Sequence, residues 1–580
     1  MKDYTDMQAE DRTRPPAGPR PGDRTLRKTL AQLTRGTSPI ATLSMINDWA
    51  MHLAAAPDKQ ASLAVRAQEN WLNWAQFVAR GCPTDEAERP IAPQENDRRF
   101  AHRAWSAAPF AAIAQAHLLA EDFLDHATTD VPGLSPCHDK AMSFIMRQAL
   151  DAFAPSNFLA TNPEAIARTL EHRGANLIQG GTAMMREWQT ALSGEKKRPA
   201  RVVGQDLAVT PGKVVHRNHL MELIQYEPCT ETVHPEPILI VPAWIMKYYI
   251  LDLGPENSMV RYLTQQGFTV FMISWRNPGA EDADLGMEDY LQQGPMAALD
   301  HICQMTDADR VHSVGYCLGG TLMSIAAASM ARDGDDRLRS MTLLAAQTDF
   351  SEAGELTLFI NESQVSFLED VMAAQGYLDA SQMMSAFQVL RSNDLIWSRM
   401  IRTYLLGDKD APMNDLMAWN ADTTRMPARM HSEYLRHMFL NNDLAAGRYR
   451  AGGHEVSLRD IRIPVFGVGT ESDHIAPWKS VFKIHAMGHA EVTFVLTNGG
   501  HNAGVVSEPG HRHRHFRMHT TRDRDRALSP EDWLDAATLQ DGSWWTGWTD
   551  WLAGLSGPKA APPPIAAALD AAPGTYVRMV

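Results

Sequence analysis

The amino-acid sequence predicts an α/β protein, in which helices flank a mostly parallel β-sheet. Short apolar runs rich in β-branched residues alternate with helical segments through the C-terminal part of the chain, and the N-terminal part has helical periodicity alone. Strands of a parallel sheet are buried on both faces, so they form continuous apolar runs of this kind. The alternation with helices then indicates a sheet covered on both sides.

Apolar runs predict the strands in chain order. They lie at residues 237–245, 268–275, 311–315, 341–346, 463–470 and 492–496. Between about 350 and 455 the series is interrupted by polar helical sequence, which separates two strands that would otherwise be neighbours. This interruption predicts a helical cap inserted over the carboxyl ends of the strands.

Composition sets the remaining boundaries. Residues 1–25 are rich in Pro, Arg and Asp and are interpreted as a disordered lead. Residues 26–195 predict a helical N-terminal domain. A charged linker at 193–206 leads into residues 196–580, which predict the α/β domain with its cap. The segment APPPIAAALDAAPG near the C-terminus is interpreted as a low-complexity tail.

Bulk properties exclude several function classes. The 580-residue chain is longer than one core normally covers, and its 44% of apolar and 21% of charged residues are typical of a globular protein. A net charge of −15 argues against a nucleic-acid-binding protein, which would carry a basic stripe. Because the sequence has neither a signal-peptide pattern nor a long apolar run, we expect a cytoplasmic protein without a transmembrane segment.

Cysteine and glycine patterns indicate that no cofactor is needed. The five cysteines are scattered and include no CxxC pair, which fits a reducing compartment and gives no metal site. The glycine clusters lack the GxGxxG pattern and the lysine of a phosphate-binding loop. We therefore expect neither a metal nor a redox cofactor.

A nucleophile motif lies between the third predicted strand and the helix that follows it. Gly315-Tyr316-Cys317-Leu318-Gly319 has the pattern G-x-nucleophile-x-G, typical of the α/β-hydrolase fold, with Cys where hydrolases usually carry Ser. Glycines are required because side chains there would collide with the strand and the helix. The amide of Leu318 and the N-terminus of the helix would stabilise an oxyanion. The alternative interpretation is a small buried cysteine beside a glycine turn.

A thiol nucleophile needs a base and an orienting acid, and in this fold the chain order is nucleophile, acid, His. Asp473 follows the predicted strand at 463–470, and His501 follows the strand at 492–496. Both lie just past the carboxyl end of a strand, where open α/β sheets place their sites. Among the 22 histidines, His474 and His312 are the nearest competitors for the base. Order and placement favour Asp473 and His501.

These residues belong to a longer resemblance. From about residue 95 to the end, the sequence resembles the class I polyhydroxyalkanoate synthases, whereas residues 1–90 carry no strong match. The matching blocks include GYCLGG at the nucleophile, DAFAPSNFLATNPEA (151–165), KYYILDLGPENSMVRYL (247–263), FMISWRNP (271–278), AWNADTTRMP (418–427), SDHIAP (472–477), GGHNAGV (499–505) and GSWWTGW (542–548). So many blocks in one order are far more specific than the five-residue turn.

The resemblance implies that Cys317, Asp473 and His501 form the catalytic triad. It also implies supporting roles, either in function or in a dimer contact, for Asp252, Trp419 and Tyr434. It implies polymerisation of 3-hydroxyacyl-CoA, with 3-hydroxybutyryl-CoA as the expected substrate, into polyester with release of CoA through a Cys-bound acyl intermediate. The implied partners are the growing polyester chain, a second subunit in a homodimer, and the surface of a cytoplasmic polyester granule. The N-terminal region would then serve attachment and dimerisation rather than chemistry.

The sequence departs from the family pattern at two places. Residues 242–249 read PAWIMKYY where family members often read PPCINKYY, in the loop that would supply the second oxyanion amide near Trp244 or Ile245. The bulky Trp244 is expected to alter the pocket wall and the acyl chain-length preference. The basic segment HRHRHFRMHTTRDRDR (511–526) is interpreted as a solvated surface loop, with a contact for coenzyme A phosphates as the alternative.

Two other functions remain open at this stage. A thioesterase or polyester hydrolase could use the same site, although a thiol in place of a hydroxyl favours transfer, since passage from a thioester to an oxyester is downhill. A non-catalytic granule-associated protein could use the helical N-terminal part and the tryptophan-rich C-terminal segment for binding. Tryptophans at helical spacing are more often packed on a core.

Overall fold

The computed structural model describes residues 29–31, 34, 36–94, 97–193, 201–379, 382, 396–408, 413–486, 489–522, 525, 528–565 and 568–580. The disordered lead predicted at 1–25 and residues 194–200 of the linker predicted at 193–206 lie outside these residues. Part of the predicted cap does so as well.

Helices predominate over residues 39–193, as their periodicity predicts. Several begin at a polar side chain that accepts a hydrogen bond from a first-turn amide and is followed by proline, as at Ser38, Ser135 and Asn162. The helices are α1 Pro39–Ala54, α2 Pro57–Ala79, α3 Phe110–Thr128, α4 Pro136–Ala152, α5 Pro163–Glu171 and α6 Ala175–Ser193.

A buried ion cluster joins α3 and α4 to the loop before them. The guanidinium of Arg99 donates to Asp97 and Glu121 at 2.6 Å and to Asp151 at 2.8 Å. The Arg99 side chain is only 12% exposed. Burial alone would raise the pKa of Asp97, but the bonds and positive charge of Arg99 lower it overall.

Strands begin after the N-terminal helices. They are β1 Gly212–Arg217, β2 Met221–Tyr226, β3 Ile238–Val241, β4 Val270–Trp275, β5 Val311–Tyr316, β6 Leu338–Leu344, β7 Tyr377–Leu378, β8 Met426–Pro427, β9 Arg450–Ala451, β10 His454–Glu455, β11 Val465–Thr470, β12 Val492–Thr497, β13 His515–Thr521, β14 Thr538–Asp541 and β15 Asp570–Ala571. Within the described residues, eleven of them form one sheet in the order β14-β13-β12-β11-β6-β5-β3-β4-β2-β1-β15.

All the strands predicted from apolar runs lie in the parallel centre of this sheet. β4, β3, β5, β6, β11 and β12 pair in parallel, and β3, β4, β5, β11 and β12 are buried along their whole length. The run at 237–245 is strand only over Ile238–Val241, because the chain turns at Pro242 towards the site. The predicted mostly parallel sheet is therefore confirmed.

The edges of the sheet correct two predictions. The interpretation of 511–526 as a surface loop was wrong over His515–Thr521, which is β13, antiparallel between β12 and β14. Its basic side chains are partly exposed while Phe516 is buried, so this polar strand, second from the edge of the sheet, had no continuous apolar run. The predicted C-terminal tail also reaches the sheet, where Asp570 and Ala571 pair with β1.

The helices of the C-terminal part of the chain cover the sheet and form the cap. They are α7 Met259–Gln265, α8 Met287–Leu291, α9 Ala297–Thr306, α10 Leu318–Asp333, α11 Glu362–Gln375, α12 Ser398–Met400, α13 Asp415–Asn420, α14 Ala428–Tyr434, α15 Trp478–Phe482, α16 Pro530–Ala536 and α17 Trp544–Leu555. In α17 the tryptophans at 544, 545 and 548 are buried, so this segment belongs to the core. Every helix in the described part of the chain is too short or too polar to cross a lipid bilayer.

The cap lies where the interruption of the strand series predicts it. β6 and β11 are parallel neighbours, with Met341 opposite Val465, and α11 to α14 come between them in the chain. The segment from 350 to 455 therefore leaves the sheet at the carboxyl end of β6 and returns to β11. It also contains two short antiparallel pairs, β7–β8 and β9–β10.

Candidate active site

Cys317 occupies a strained turn between β5 and α10. Its backbone has φ 52° and ψ −121°, a conformation that a non-glycine residue adopts only where the surroundings enforce it. A Cβ on Gly319 would overlap the carbonyl oxygens of Val241 and Pro242, and one on Gly320 would overlap Ala346. The glycines after Cys317 are thus required by close approach of the helix to β3 and β6, as the sequence predicts.

The turn places a free backbone donor next to the nucleophile. Leu318 is the first residue of α10, so its amide has no partner within the helix. All residues of α10 from Leu318 to Met330 are buried, and the positive end of the helix dipole lies beside the thiol. This geometry suits an oxyanion that forms on a carbonyl attacked by Cys317.

Asp473 is held by donors on both of its oxygens. Oδ1 accepts from the amides of Ile475 and Ala476 at 2.9 Å, while Oδ2 accepts from Thr470 Oγ1 at 3.1 Å and from His501 Nδ1 at 2.7 Å. Burial would raise the pKa of this carboxyl, but His501 and the two amides lower it overall. Asp473 is therefore a fixed carboxylate that orients His501.

His501 joins Asp473 to Cys317. Because Nδ1 is bonded to Asp473, Nε2 is the ring nitrogen available to take a proton from the Cys317 thiol, which lies close enough to influence the pKa of the imidazole. Burial alone would lower the pKa of His501, but the negative charges of Asp473 and Cys317 and the bonds to both raise it well above its usual value. The three residues predicted from chain order thus lie together, with Asp473 bonded to His501 and His501 near Cys317.

The two competing histidines make other contacts. His312 is buried near the beginning of β5, bonded to Ser340 Oγ at 2.7 Å and to Ser556 Oγ at 3.0 Å. Burial lowers the pKa of His312 to about 3. The backbone carbonyl of His474 accepts a hydrogen bond from the amide of Glu355 at 3.1 Å. Of the three histidines, His501 is the one bonded to Asp473 and placed where Cys317 influences its pKa.

The loop after β3 runs beside the nucleophile. Ile245 lines the same cavity as Cys317 and Leu318, where we predicted the second oxyanion amide. The side chain of Trp244 points elsewhere, into a buried cluster with Trp275 and Tyr290. The expectation that Trp244 alters the pocket wall is therefore wrong, since the indole fills the core beneath the loop.

The three residues predicted to have supporting roles lie at different places. Asp252 is buried and accepts hydrogen bonds from Thr210, Ser258 and Tyr226; burial raises its pKa despite these bonds. Trp419 is buried in the cap and lies against the loop after β3. Only Tyr434 borders the cavity, and burial together with the charge of Cys317 raises its pKa.

A cavity of about 300 Å³ opens at the thiol. Its wall is mostly apolar and includes Leu318, Phe350, Leu368, Tyr434 and Phe439. Such a wall excludes water from an acyl group bound to Cys317.

The N-terminal region contributes to this wall. Thr34, Gly36 and Thr37 line the cavity. Gln364 of α11 fixes them there, because its side chain donates to Gly36 O and accepts from Ser38 N, both at 2.7 Å. The N-terminal region therefore forms part of the site. The sequence predicted only attachment and dimerisation for this region.

Two polar side chains of the cavity wall were also missed. Gln347 and His431 line the cavity, and within the described part of the chain Gln347 Nε2 and His431 Nδ1 are buried without a hydrogen-bond partner. Burial lowers the pKa of His431 to about 4, so this ring is neutral at neutral pH. Neither residue lies in a sequence pattern that predicts a functional role. Thr470, which bonds Asp473, could have been predicted, because it is the last residue of a predicted strand.

Three family profiles match the chain. They are described as Poly-beta-hydroxybutyrate polymerase N terminal over residues 17–59, Poly-beta-hydroxybutyrate polymerase (PhaC) N-terminus over 96–263, and alpha/beta hydrolase fold over 236–506. The match at 17–59 corrects the expectation that residues 1–90 carry no strong match.

Relatives extend the similarity to most of the chain. The Poly(3-hydroxyalkanoate) polymerase of Methylorubrum extorquens is 43% identical over 87% of this chain and 84% of its own length. The chain belongs to the poly(3-hydroxyalkanoate) polymerase family. The corresponding PhaC subunit of Rhizobium meliloti is 39% identical over 93% of this chain and 88% of its own, and that of Cupriavidus necator 36% over 90% and 89%. Membership in this family of polymerases confirms the predicted resemblance, the α/β-hydrolase fold and the class of enzyme, an acyl-transferring synthase.

Proposed function

We propose that this polymerase joins 3-hydroxyacyl units, taken from 3-hydroxyacyl-CoA, through a thioester on Cys317. The observation that supports the proposal best is the series Cys317–His501–Asp473 at the wall of an apolar cavity. A thiol, a base and an orienting carboxylate are what acyl transfer between thioesters requires.

The first half-reaction loads the enzyme. His501 Nε2 takes the proton of Cys317, and the thiolate attacks the carbonyl carbon of the acyl-CoA. The oxyanion is bound by the amides of Leu318 and Ile245, and Asp473 stabilises the imidazolium. The carbon–sulfur bond to CoA then breaks, and CoA leaves with the proton from His501. The product is an acyl thioester on Cys317.

The second half-reaction extends the chain. The 3-hydroxyl of another 3-hydroxyacyl-CoA gives its proton to His501 and attacks the Cys317 thioester. An ester forms, Cys317 leaves as a thiolate and recovers the proton, and the extended CoA thioester then loads Cys317 again with release of CoA. Both Asp473 oxygens already accept hydrogen bonds, which supports an orienting role for this residue.

The assay that tests this function follows CoA release and product from 3-hydroxybutyryl-CoA. The protein is expected to release CoA and form insoluble polyester, and Cys317→Ala is expected to do neither. Soluble 3-hydroxybutyrate in place of polymer would instead assign the hydrolase reaction. Polymer formation by Cys317→Ala would remove Cys317 from the mechanism.

We also propose that the protein works as a homodimer at the surface of cytoplasmic polyester granules. Exposed apolar side chains on the N-terminal helices support attachment, including Leu43, Met51, Trp71 and Trp188. Replacing Trp71 and Trp188 by Asp is expected to move the protein from the sedimented polymer to the supernatant. Unchanged sedimentation would contradict attachment through these helices, and a monomer in ultracentrifugation with substrate would contradict the dimer.

A further inference from the structure

We propose that the cap positions the oxyanion hole: Thr424 fixes the peptide unit whose amide is that of Ile245, so the hole is complete only while the cap is seated. This inference rests on the proposed function, because it uses the role given there to the Ile245 amide. Thr424 is a positioning residue, since it acts through the loop and not on the substrate.

Thr424 bonds the loop at two neighbouring carbonyls. Its Oγ1 donates to Trp244 O at 2.6 Å, and its amide donates to Ile245 O at 3.3 Å. Thr424 is 3% exposed, so water does not compete for these bonds. Both bonds connect the cap directly to the loop after β3.

The bond to Trp244 O determines where the Ile245 amide points. The carbonyl of Trp244 and the amide of Ile245 belong to one peptide unit, which is planar and trans. In a trans unit the C=O and N–H bonds point in opposite directions. Holding the oxygen towards Thr424 therefore directs the Ile245 N–H away from the cap segment that carries Thr424.

More of the same cap segment runs along the loop. Thr423 forms an antiparallel bridge with Met246, and Trp419 Nε1 donates to Lys247 O at 2.7 Å. Tyr249 Oη donates to Asp422 Oδ2 at 2.8 Å. Residues 419–424 thus align with the loop 244–249, and the carbonyls at 244, 245 and 247 all accept their bonds from the cap.

The opposite side of the loop is fixed to the core. Trp275 Nε1 donates to Pro242 O at 2.8 Å, and the indole of Trp244 packs on Trp275 and Tyr290. The base of the loop is therefore rigid, while the direction of the peptide unit at 244–245 depends on the cap. A displaced cap would release this unit and remove one oxyanion donor.

The dependence of the oxyanion hole on the cap would protect the growing chain of a polymerase. The acyl group on Cys317 is a thioester that water could hydrolyse whenever the cap is displaced. Loss of one oxyanion donor slows acyl transfer by about a hundredfold or more. With the cap displaced, attack by water would therefore lack full stabilisation, and the chain on Cys317 would be preserved.

The test compares Thr424→Val with Thr424→Ser in the full-length protein. Valine keeps the shape of the side chain and removes the hydroxyl, whereas serine keeps the hydroxyl. Single-turnover acylation of Cys317 by 3-hydroxybutyryl-CoA is followed as CoA release, together with steady-state kcat and KM. Thr424→Val is expected to lower the acylation rate and kcat about tenfold to a hundredfold with KM nearly unchanged, because the donor is misdirected rather than the substrate lost. Thr424→Ser is expected to restore most of the rate.

Thr128→Val is the matched control. Thr128 is a buried threonine of the N-terminal domain whose Oγ1 donates to Leu124 O at 2.8 Å, far in the chain from the site. Its removal is expected to leave kcat and KM at the wild-type values. Circular dichroism and thermal melting show whether each variant is folded.

Several outcomes would overturn the inference. An equal kcat in Thr424→Val and Thr128→Val would contradict a role for Thr424. An equal fall in kcat in Thr424→Val and Thr424→Ser would also contradict the inference, because loss of the hydroxyl could then not explain the fall. If Thr424→Val does not fold, Trp419→Phe removes the donor to Lys247 O, and an unchanged kcat there would also overturn it. If the wild-type protein is acylated normally but releases only free acid, the proposed polymerisation is contradicted. The acylation rates of the two Thr424 variants would still decide the role of Thr424.

Discussion

His501 Nδ1 and Asp473 Oδ2 are 2.7 Å apart, both side chains are almost completely buried, and the carboxylate has a lowered pKa. The bond fixes the tautomer of the imidazole that leaves Nε2 free to take a proton. Since Asp473 is itself held by two amides and by Thr470, the ring has one orientation towards Cys317.

Asp473→Asn is expected to lower kcat by about 10³ to 10⁴, because an amide donor favours the wrong tautomer of His501. The same change should slow alkylation of the Cys317 thiol by iodoacetamide, since less thiolate is formed. Mass spectrometry of the modified peptides measures this, with exposed Cys137 as the internal control. Equal alkylation of Cys317 in the wild type and the variant would contradict the orienting role.

Gly319→Ala is expected to destabilise the fold by about 2–4 kcal/mol, because its Cβ would overlap backbone oxygens that cannot move without shifting β3. The control is Gly554→Ala in α17, where a Cβ meets nothing within 4 Å and alanine favours the helix. Urea denaturation measures both. A midpoint for Gly319→Ala equal to that of Gly554→Ala would show that the turn tolerates a side chain.

The sequence predicts those parts of the fold whose signal is local. The central strands are buried on both faces, so their residues form apolar runs, and Asp473 and His501 lie directly after two of them. Cys317 could be identified because its glycine pattern is itself local in the sequence, although the packing that requires Gly319 and Gly320 is against β3 and the residues after β6.

Features that depend on distant partners could not be predicted. Glu222 of β2 is fully buried, and its carboxylate is paired with Arg217 and with the amides of Thr575 and Tyr576, more than 350 residues away. Because Glu222 and Gln225 are among its buried residues, β2 has no continuous apolar run. The bonds of Gln364 to Gly36 and Ser38 join segments 328 and 326 residues apart, and the placement of Thr424 on the loop after β3 is equally non-local.

Arg99→Met is expected to destabilise the protein by about 3–5 kcal/mol, because Asp97, Glu121 and Asp151 would be left as buried carboxylates without their cation. Arg310→Met is the control, since its pair with Asp336 is largely exposed and is expected to contribute less than about 1 kcal/mol. Thermal unfolding by circular dichroism measures the difference. Similar melting temperatures for the two variants would show that the cluster contributes no more than a surface pair.

His312 makes the stability of the fold sensitive to acid. Burial lowers its pKa in the folded protein to about 3, whereas an unfolded histidine has a pKa of about 6.5. Between these pH values the unfolded chain binds one proton more than the folded chain, so the free energy of unfolding falls as the pH falls. This residue alone is expected to remove about 1.4 kcal/mol for each pH unit in that range.

His312→Asn isolates this contribution, because asparagine can still bond Ser340 but does not titrate in this range. Urea midpoints of the wild type and the variant are compared at about pH 7 and about pH 5.5. The variant is expected to be less stable than the wild type at neutral pH, since the bond to Ser556 is lost, yet to lose less stability on acidification. Parallel losses in the two proteins would mean that His312 is not a source of the acid sensitivity.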